Sequence, residues 1–240
     1  MRRDSRPYIL KRLDLGFQAW YTNHFLRPQF EHLGHSPWFM KPWHIKIFGG
    51  PISVGNYAHV IATPDKKVRL TVWSNLEGEG KIEIGNFCLI CPGVRISSAR
   101  HIKIGDNCMF ANEAFITDAD WHGIYDRSQS VGNAEPVIIG NNVWVGDRAM
   151  IFKGVTIGNN SIIGAGAVVL KDVPPNVCVG GNPAQVVKIL DPSQPMKTRE
   201  DWYSDYEKLV AEFDQLDREK MKNNTWLGWL RSLVAPGKGD

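Results

Sequence analysis

Cysteine is scarce: Cys88, Cys91, Cys108 and Cys178 are the only four in 240 residues. A chain this long is not stapled into a disulfide scaffold by so few. Cys88-x-x-Cys91 has the spacing of a metal or redox pair, but no second CxxC and no nearby His completes it, so small buried side chains are the plainer reading. Long apolar runs are missing as well. The opening MRRDSRPYILKRLDLGFQAW is basic without an apolar stretch of signal-peptide length, and nothing later approaches a membrane span, so a cytoplasmic protein is expected. An excess of one charge sign is also absent. The net charge is +3 with both signs interspersed, which offers no broad nucleic-acid surface, and no nucleic-acid partner is expected.

What is abundant is a period. Aliphatic residues recur every six positions at Ile139, Val145, Ile151, Ile157, Ile163 and Val169, and glycine follows four of them, at 140, 146, 158 and 164. Four positions after each of the first five anchors the residue is small or β-branched: Val143, Ala149, Val155, Ser161 and Ala167. An earlier block repeats the pattern at Ile84, Ile90 and Ile96 and, after a two-residue slip, at Ile104, Phe110 and Ile116; Val54 and Val60 suggest an opening rung. Between Val60 and Ile84 the same spacing falls on Lys66, Val72 and Gly78, which leaves open a degraded coil or a loop with a strand.

A helix needs apolar spacing near 3.6 and an ordinary strand needs 2, so a strict six fits neither. Short strands joined by tight turns do fit: each rung is one side of a triangular coil, with the aliphatic inward and glycine where neighbouring backbones approach. These motifs resemble the hexapeptide-repeat acyltransferases over about residues 50 to 190, and the block from Glu135 to Leu190 resembles their saccharide O-acetyltransferase branch. The resemblance implies an all-β fold, a left-handed parallel β-helix. The hand comes from the resemblance alone, since parallel crossovers are ordinarily right-handed.

Residues 1–45 show no six-fold pattern and are read as an irregular or partly helical segment packed against the first coils. Residues 46–190 form the β-helix domain, with a protruding loop at 117–136, and 191–240 form a C-terminal helical extension. Helical spacing runs through Trp202, Tyr206, Leu209, Val210, Phe213 and Leu216, with Thr198-x-x-Asp201 as its N-terminal cap and Lys220 and Lys222 at its end. The segment Thr225-Trp-Leu-Gly-Trp-Leu-Arg either packs on the β-helix or has the composition for a peripheral contact with a membrane or lipid-linked acceptor.

From Ile116 to Ile139 the chain takes 23 residues where a rung takes six, so a loop leaves the coil for some purpose other than stacking. It carries His122. Acyl transfer from a thioester to a hydroxyl needs a base that is neutral near pH 7, which imidazole supplies. The resemblance implies that this loop holds the catalytic histidine. Asp118 or Asp120 is near enough in sequence to orient it, or either binds acceptor hydroxyls or caps a turn. Tyr125, Asp126 and Arg127 are weaker acceptor-site candidates. No Ser or Cys sits with His122 in a nucleophile motif, which favours direct transfer without an acyl-enzyme.

By family position, Trp144, Gly146, Asp147, Gly164, Ala165, Lys171 and Lys188 are implied to meet acetyl-CoA or another acyl-CoA as cosubstrate. A backbone N–H near Gly146–Asp147 would serve the oxyanion, and the lysines the phosphates. The resemblance also implies a homotrimer. Where sugar acetyltransferases of this branch carry an acceptor-site Asn one coil before the histidine, this chain has Cys91, and its loop is longer than their Gly-His-Pro version. The expectation is therefore an O-acyltransferase acting on a saccharide-like acceptor in glycan synthesis. N-acylation of an amino sugar or xenobiotic is the alternative. A zinc carbonic anhydrase-like protein, with His101 and His122 but no third histidine at close spacing, and a non-catalytic scaffold stand further off. No metal is expected.

Overall fold

A computed structural model describes residues 4–73 and 80–237; Gly78 lies outside the described residues. Rungs become strands of two to five residues, each too short to bury an aliphatic by itself. They stack instead into three faces. The first holds His32–Leu33, Ile52–Val54, Ile82–Ile84, Ile102–Ile104, Val137–Ile139 and Thr156–Ile157. The second runs from Trp38–Met40 through His59–Ile61, Leu89–Ile90, Met109–Phe110, Trp144–Val145 and Ile162–Ile163 to Val177–Gly180 and Gln185–Ile189. The third holds Ile45–Phe48, Val68–Val72, Arg95–Ser98, Phe115–Thr117, Met150–Ile151 and Val168–Val169. Every pairing is parallel except that of the last two strands of the second face.

The six-residue anchors are the core. Val54, Ile84, Ile104, Ile139 and Ile157 lie in register inside the first face. Val60, Ile90, Phe110, Val145 and Ile163 do so in the second, and Leu70, Ile96, Ile116, Ile151 and Val169 in the third. All are buried, each such side chain contributing about 1.5–3 kcal/mol of hydrophobic stabilisation. Cys88 and Cys108 are buried too, their thiols donating to the Gly105 and Gly140 carbonyls at 3.3 and 3.1 Å. Hydrogen bonding with Cys108 and burial push the Cys88 thiol up, so it is an inert core group and not half of a redox pair.

The first corner, between the first and second faces, is sewn by a ladder of amides. The backbone N–H groups of His35, Asn56, Asn86, Asp106 and Asn141 donate in turn to the side-chain oxygens of Asn56, Asn86, Asp106, Asn141 and Asn159, at 2.6–3.0 Å. Each bond satisfies a turn donor that the strand ladder cannot reach.

Several expectations need correction. The coil starts before residue 46: Leu33 pairs with Val54 and Phe39 with Val60, and Leu33, Phe39 and Ile45 keep the six-residue spacing. The Val60–Ile84 segment is a coil, but Leu70, not Lys66 or Val72, aligns with Ile96, because Thr63–Lys66 close an extra turn. The helix Tyr8–Tyr21, up to Trp20, belongs to a compact unit with the C-terminal helices, apart from the coil unit Tyr21–Glu200. Lys11 and Arg12 pair there with Asp217 and Asp214 at 2.6 and 2.7 Å. The long C-terminal helix is Tyr206–Met221, capped by Asp205 accepting from the Lys208 N–H at 3.0 Å, and a separate turn, Arg199–Trp202, precedes it. A further helix, Trp226–Val234, belongs to that same unit. Among the described residues no helix is long and apolar enough to cross a membrane.

Candidate active site

The protruding loop leaves the third corner, between Phe115–Thr117 of the third face and Val137–Ile139 of the first. Its base is tied like a short hairpin: Ala119 bridges Ala134, the Asp120 N–H donates to the Asn133 carbonyl at 2.9 Å, and the Glu135 N–H to that of Asp118 at 2.9 Å. Trp121 turns back over the third face, its indole N–H donating to Thr117 Oγ1 at 3.1 Å. His122 follows on the exposed stretch.

Neither aspartate reaches the imidazole. Asp118 is fully buried, and its carboxylate accepts from Ser98 Oγ at 2.6 Å and from the backbone N–H groups of Ala99 and Arg100 at 2.7 and 3.0 Å. Those donors belong to the two-residue slip that interrupted the period, so Asp118 caps the widened corner. Asp120 is ion-paired with Lys153, a residue that no spacing singled out. Further along, Tyr125 is wholly exposed, Asp126 accepts from the Ser128 N–H at 3.0 Å and hydroxyl at 2.5 Å, and the Arg127 Nε–H donates back to the Ile124 carbonyl at 3.1 Å. The Ser128 bonds hold the Asp126 carboxyl below its usual range. These three shape the tip of the loop.

The expected cofactor positions gather mostly at the second corner, between the second and third faces. A Cβ on Gly146 would stand 2.7 Å from the Ala165 nitrogen, so only glycine lets these coils stack. The Gly146 N–H is not available to an oxyanion, because it donates to the Ile163 carbonyl at 2.7 Å. Asp147 differs. Its carboxylate accepts from the Asn112 N–H at 3.0 Å, but the next coil presents Ala165 at that position, with no side-chain acceptor, and among the described residues the Asp147 N–H has no partner. Gly164 and Ala165 follow on the same corner, and Gly166, at φ +67°, has open space where a Cβ would be. Trp144 is 48% exposed on the adjoining second face.

Cys91 shares this corner, half-buried; burial and then the Asp147 charge push its thiol up against the opposing pull of Arg199, which keeps it a protonated, uncharged group. Lys188 is exposed on the second face opposite Cys178, whereas Lys171 is exposed on the third corner, on the side of His122. One chain thus separates the candidate base from the candidate oxyanion donor by an entire face. His101 binds Glu83 and does not converge with His122, and among the described residues no three metal-ligating side chains come together.

Sequence reasoning also missed His59, whose signal was too weak to single out: it is buried, stacked on Trp38 at 4.6 Å, and its pKa is lowered to about 4 by burial and by the nearby Arg199 charge. It is a neutral core histidine.

The repeat family described as bacterial transferase hexapeptide (six repeats) matches residues 136–171. A polysialic acid O-acetyltransferase of Escherichia coli is 36% identical over 130 residues, which are 50% of this chain and 42% of that protein. The galactoside O-acetyltransferase of Escherichia coli is 36% identical over 89 residues, 36% of this chain and 43% of that one. The chain therefore matches less than half the length of either relative. Among solved structures, an N-acyltransferase of Bacillus cereus in complex with dTDP and coenzyme A superposes with a TM-score of 0.55 at 19% identity, covering 80% of this chain and 95% of that one, and so shares the fold. Residues 136–171 thus carry the transferase hexapeptide repeat, the matched stretches are similar to O-acetyltransferases, and the fold is a left-handed parallel β-helix.

Proposed function

We propose that the protein transfers an acyl group, acetyl by default, from coenzyme A to a hydroxyl of a saccharide, with His122 as general base. The observation that carries this reading is the pairing of an exposed histidine on the one long excursion with a second corner of small residues that leaves the Asp147 N–H without an acceptor. The relatives that act on galactosides and polysialic acid support the saccharide acceptor.

In this reaction His122 takes the proton from the acceptor hydroxyl as its oxygen attacks the thioester carbonyl. The carbonyl oxygen gains negative charge against the Asp147 N–H. Collapse breaks the C–S bond, and the proton held on His122 passes to the leaving thiolate, so no acyl-enzyme forms. Because the base and the oxyanion donor stand on different corners, a homotrimer that sets the third corner of one chain against the second corner of the next would complete the site. The exposed Trp226, Leu227 and Leu233 suit a membrane-borne or lipid-linked acceptor.

The test is release of free thiol from acetyl-CoA across a panel of neutral, amino and acidic glycans. Acceptor-dependent release from a species of three chain masses is expected; a stable monomer that neither binds acetyl-CoA nor releases thiol with any acceptor would remove this reading.

Lys171 and Lys188 are exposed, so each phosphate contact is discounted for screening, and replacing either by Ala should weaken coenzyme A binding about tenfold. Calorimetry on the double variant checks this, and unchanged affinity would move the phosphates elsewhere.

A further inference from the structure

The third face presents a ladder of cations. Lys46 pairs in register with Arg69, and Arg69 with Arg95, so three successive coils project a positive side chain from the same position. All three are exposed. Adjacent rungs are about 4.8 Å apart, and like charges directly opposite one another destabilise a sheet. Among the described residues none of the three forms an ion pair that would offset this repulsion, and Glu113 at the neighbouring corner is already held by Lys66 and Arg148. Arg95 is held in place, its guanidinium carbon lying 3.9 Å over the Phe115 ring.

Beside the cations runs a second in-register line, Thr71, Ser97 and Thr117, of which Ser97 and Thr117 are buried and bonded within the protein, with Thr71 Oγ1 3.1 Å from Ser97 Oγ. It ends beneath Trp121, the residue before His122. Aromatic surface frames the face: Phe48 and Trp73 stack at 4.3 Å, and each is about half exposed. Cations repeating at one rung beside exposed flat aromatic rings fit a polymer that carries carboxylates along its length and presents apolar sugar faces.

We propose that this face binds an acidic, carboxylate-bearing saccharide chain laid along the coil axis, with Arg69 and Arg95 as its main anchors, and leads one of its hydroxyls toward His122. This names the acceptor class for the acyl transfer proposed above and rests on that reading for the reaction, though not for the binding.

Binding of the full-length protein to fluorescently labelled hexagalacturonate, neutral maltohexaose and oligodeoxythymidylate separates the possibilities. The acidic saccharide should bind, and should weaken as salt is raised; the neutral one should not bind. Arg69→Gln with Arg95→Gln should lower affinity for hexagalacturonate about a hundredfold, roughly tenfold for each guanidinium. Coenzyme A affinity and mass in solution should stay as in the wild type, and the melting temperature should hold or rise as repulsion is relieved.

Unchanged affinity in the double variant, or equal binding of maltohexaose, would overturn the proposal. Oligodeoxythymidylate binding as tightly through the same two arginines would make the face a general polyanion surface. A change of solution mass in the double variant would make it a contact between chains. Either result replaces the proposal. A protein that binds hexagalacturonate through the ladder yet transfers no acyl group would sink the acyltransferase reading and leave this one standing.

Discussion

His122→Ala should lower kcat by about 10²–10⁴-fold, the usual contribution of a positioned general base, while melting temperature and coenzyme A affinity stay near those of the wild type. The separation follows from where the residue sits. The loop is anchored at its base by Asp118, by the Ala119–Ala134 bridge and by the Asp120–Lys153 pair, all before or after the exposed stretch that carries the imidazole. Removing an exposed side chain there takes no contact from the core. Single-turnover kinetics on the best acceptor, with thermal melting of the same preparation, measures both quantities. Asp120→Asn sharpens the result: as Asp120 is engaged by Lys153, it should disturb the loop mildly and cost far less rate than His122→Ala. Near-normal turnover of His122→Ala would end the proposed mechanism, and an unfolded variant would make His122 a structural residue.

The period was legible because a coil of constant cross-section admits one aliphatic per side. That demand leaves a trace at every sixth residue, and Ile84 to Val169 carry it with few interruptions. It faded where corners carry extra residues. Leu33 and Phe39 keep the spacing for too few rungs to stand out, and the turn at Thr63–Lys66 shifts the anchor to Leu70. The position of His122 was readable as an excursion from the repeat. Its surroundings were not. Lys153 meets Asp120 only because the coil brings the next third corner beneath the loop, and no local pattern announces such a pair. The cation ladder was hidden for the same reason: Lys46, Arg69 and Arg95 fall into register only after unequal corners between them are folded away. The sequence could not separate the Gly146 N–H from that of Asp147 as a candidate oxyanion donor, because that the Gly146 N–H is spent on the strand ladder is visible only in the folded coil.

Asp118 gives the clearest division between folding and chemistry, and Asp118→Ala should destabilise the protein by about 3 kcal/mol, lowering the melting temperature by roughly 6–12 °C for a chain of this size. Three donors converge on its buried carboxylate, and two are backbone N–H groups at 99 and 100 that sit in the widened corner where no strand ladder can take them. Truncation leaves these donors without an acceptor in a dry site, and the penalty for unmet buried groups exceeds the modest net worth of the bonds themselves. Part of the loss is returned because a buried carboxylate no longer has to be desolvated, which is why the figure is not larger. Asp118→Asn should fall between the two, since an amide keeps one acceptor oxygen but turns an NH₂ toward donors. Hydrogen exchange should accelerate first at the amides of Ala99 and Arg100. Measured under conditions where the variant is folded, kcat should fall only in proportion to loosening of the loop, by less than about tenfold, far below the loss expected of a missing catalytic base. The opposite pattern, an unchanged melting temperature with kcat reduced as far as in His122→Ala, would show that Asp118 acts on the imidazole and that the buried arrangement at Ser98–Arg100 is not the one used in catalysis.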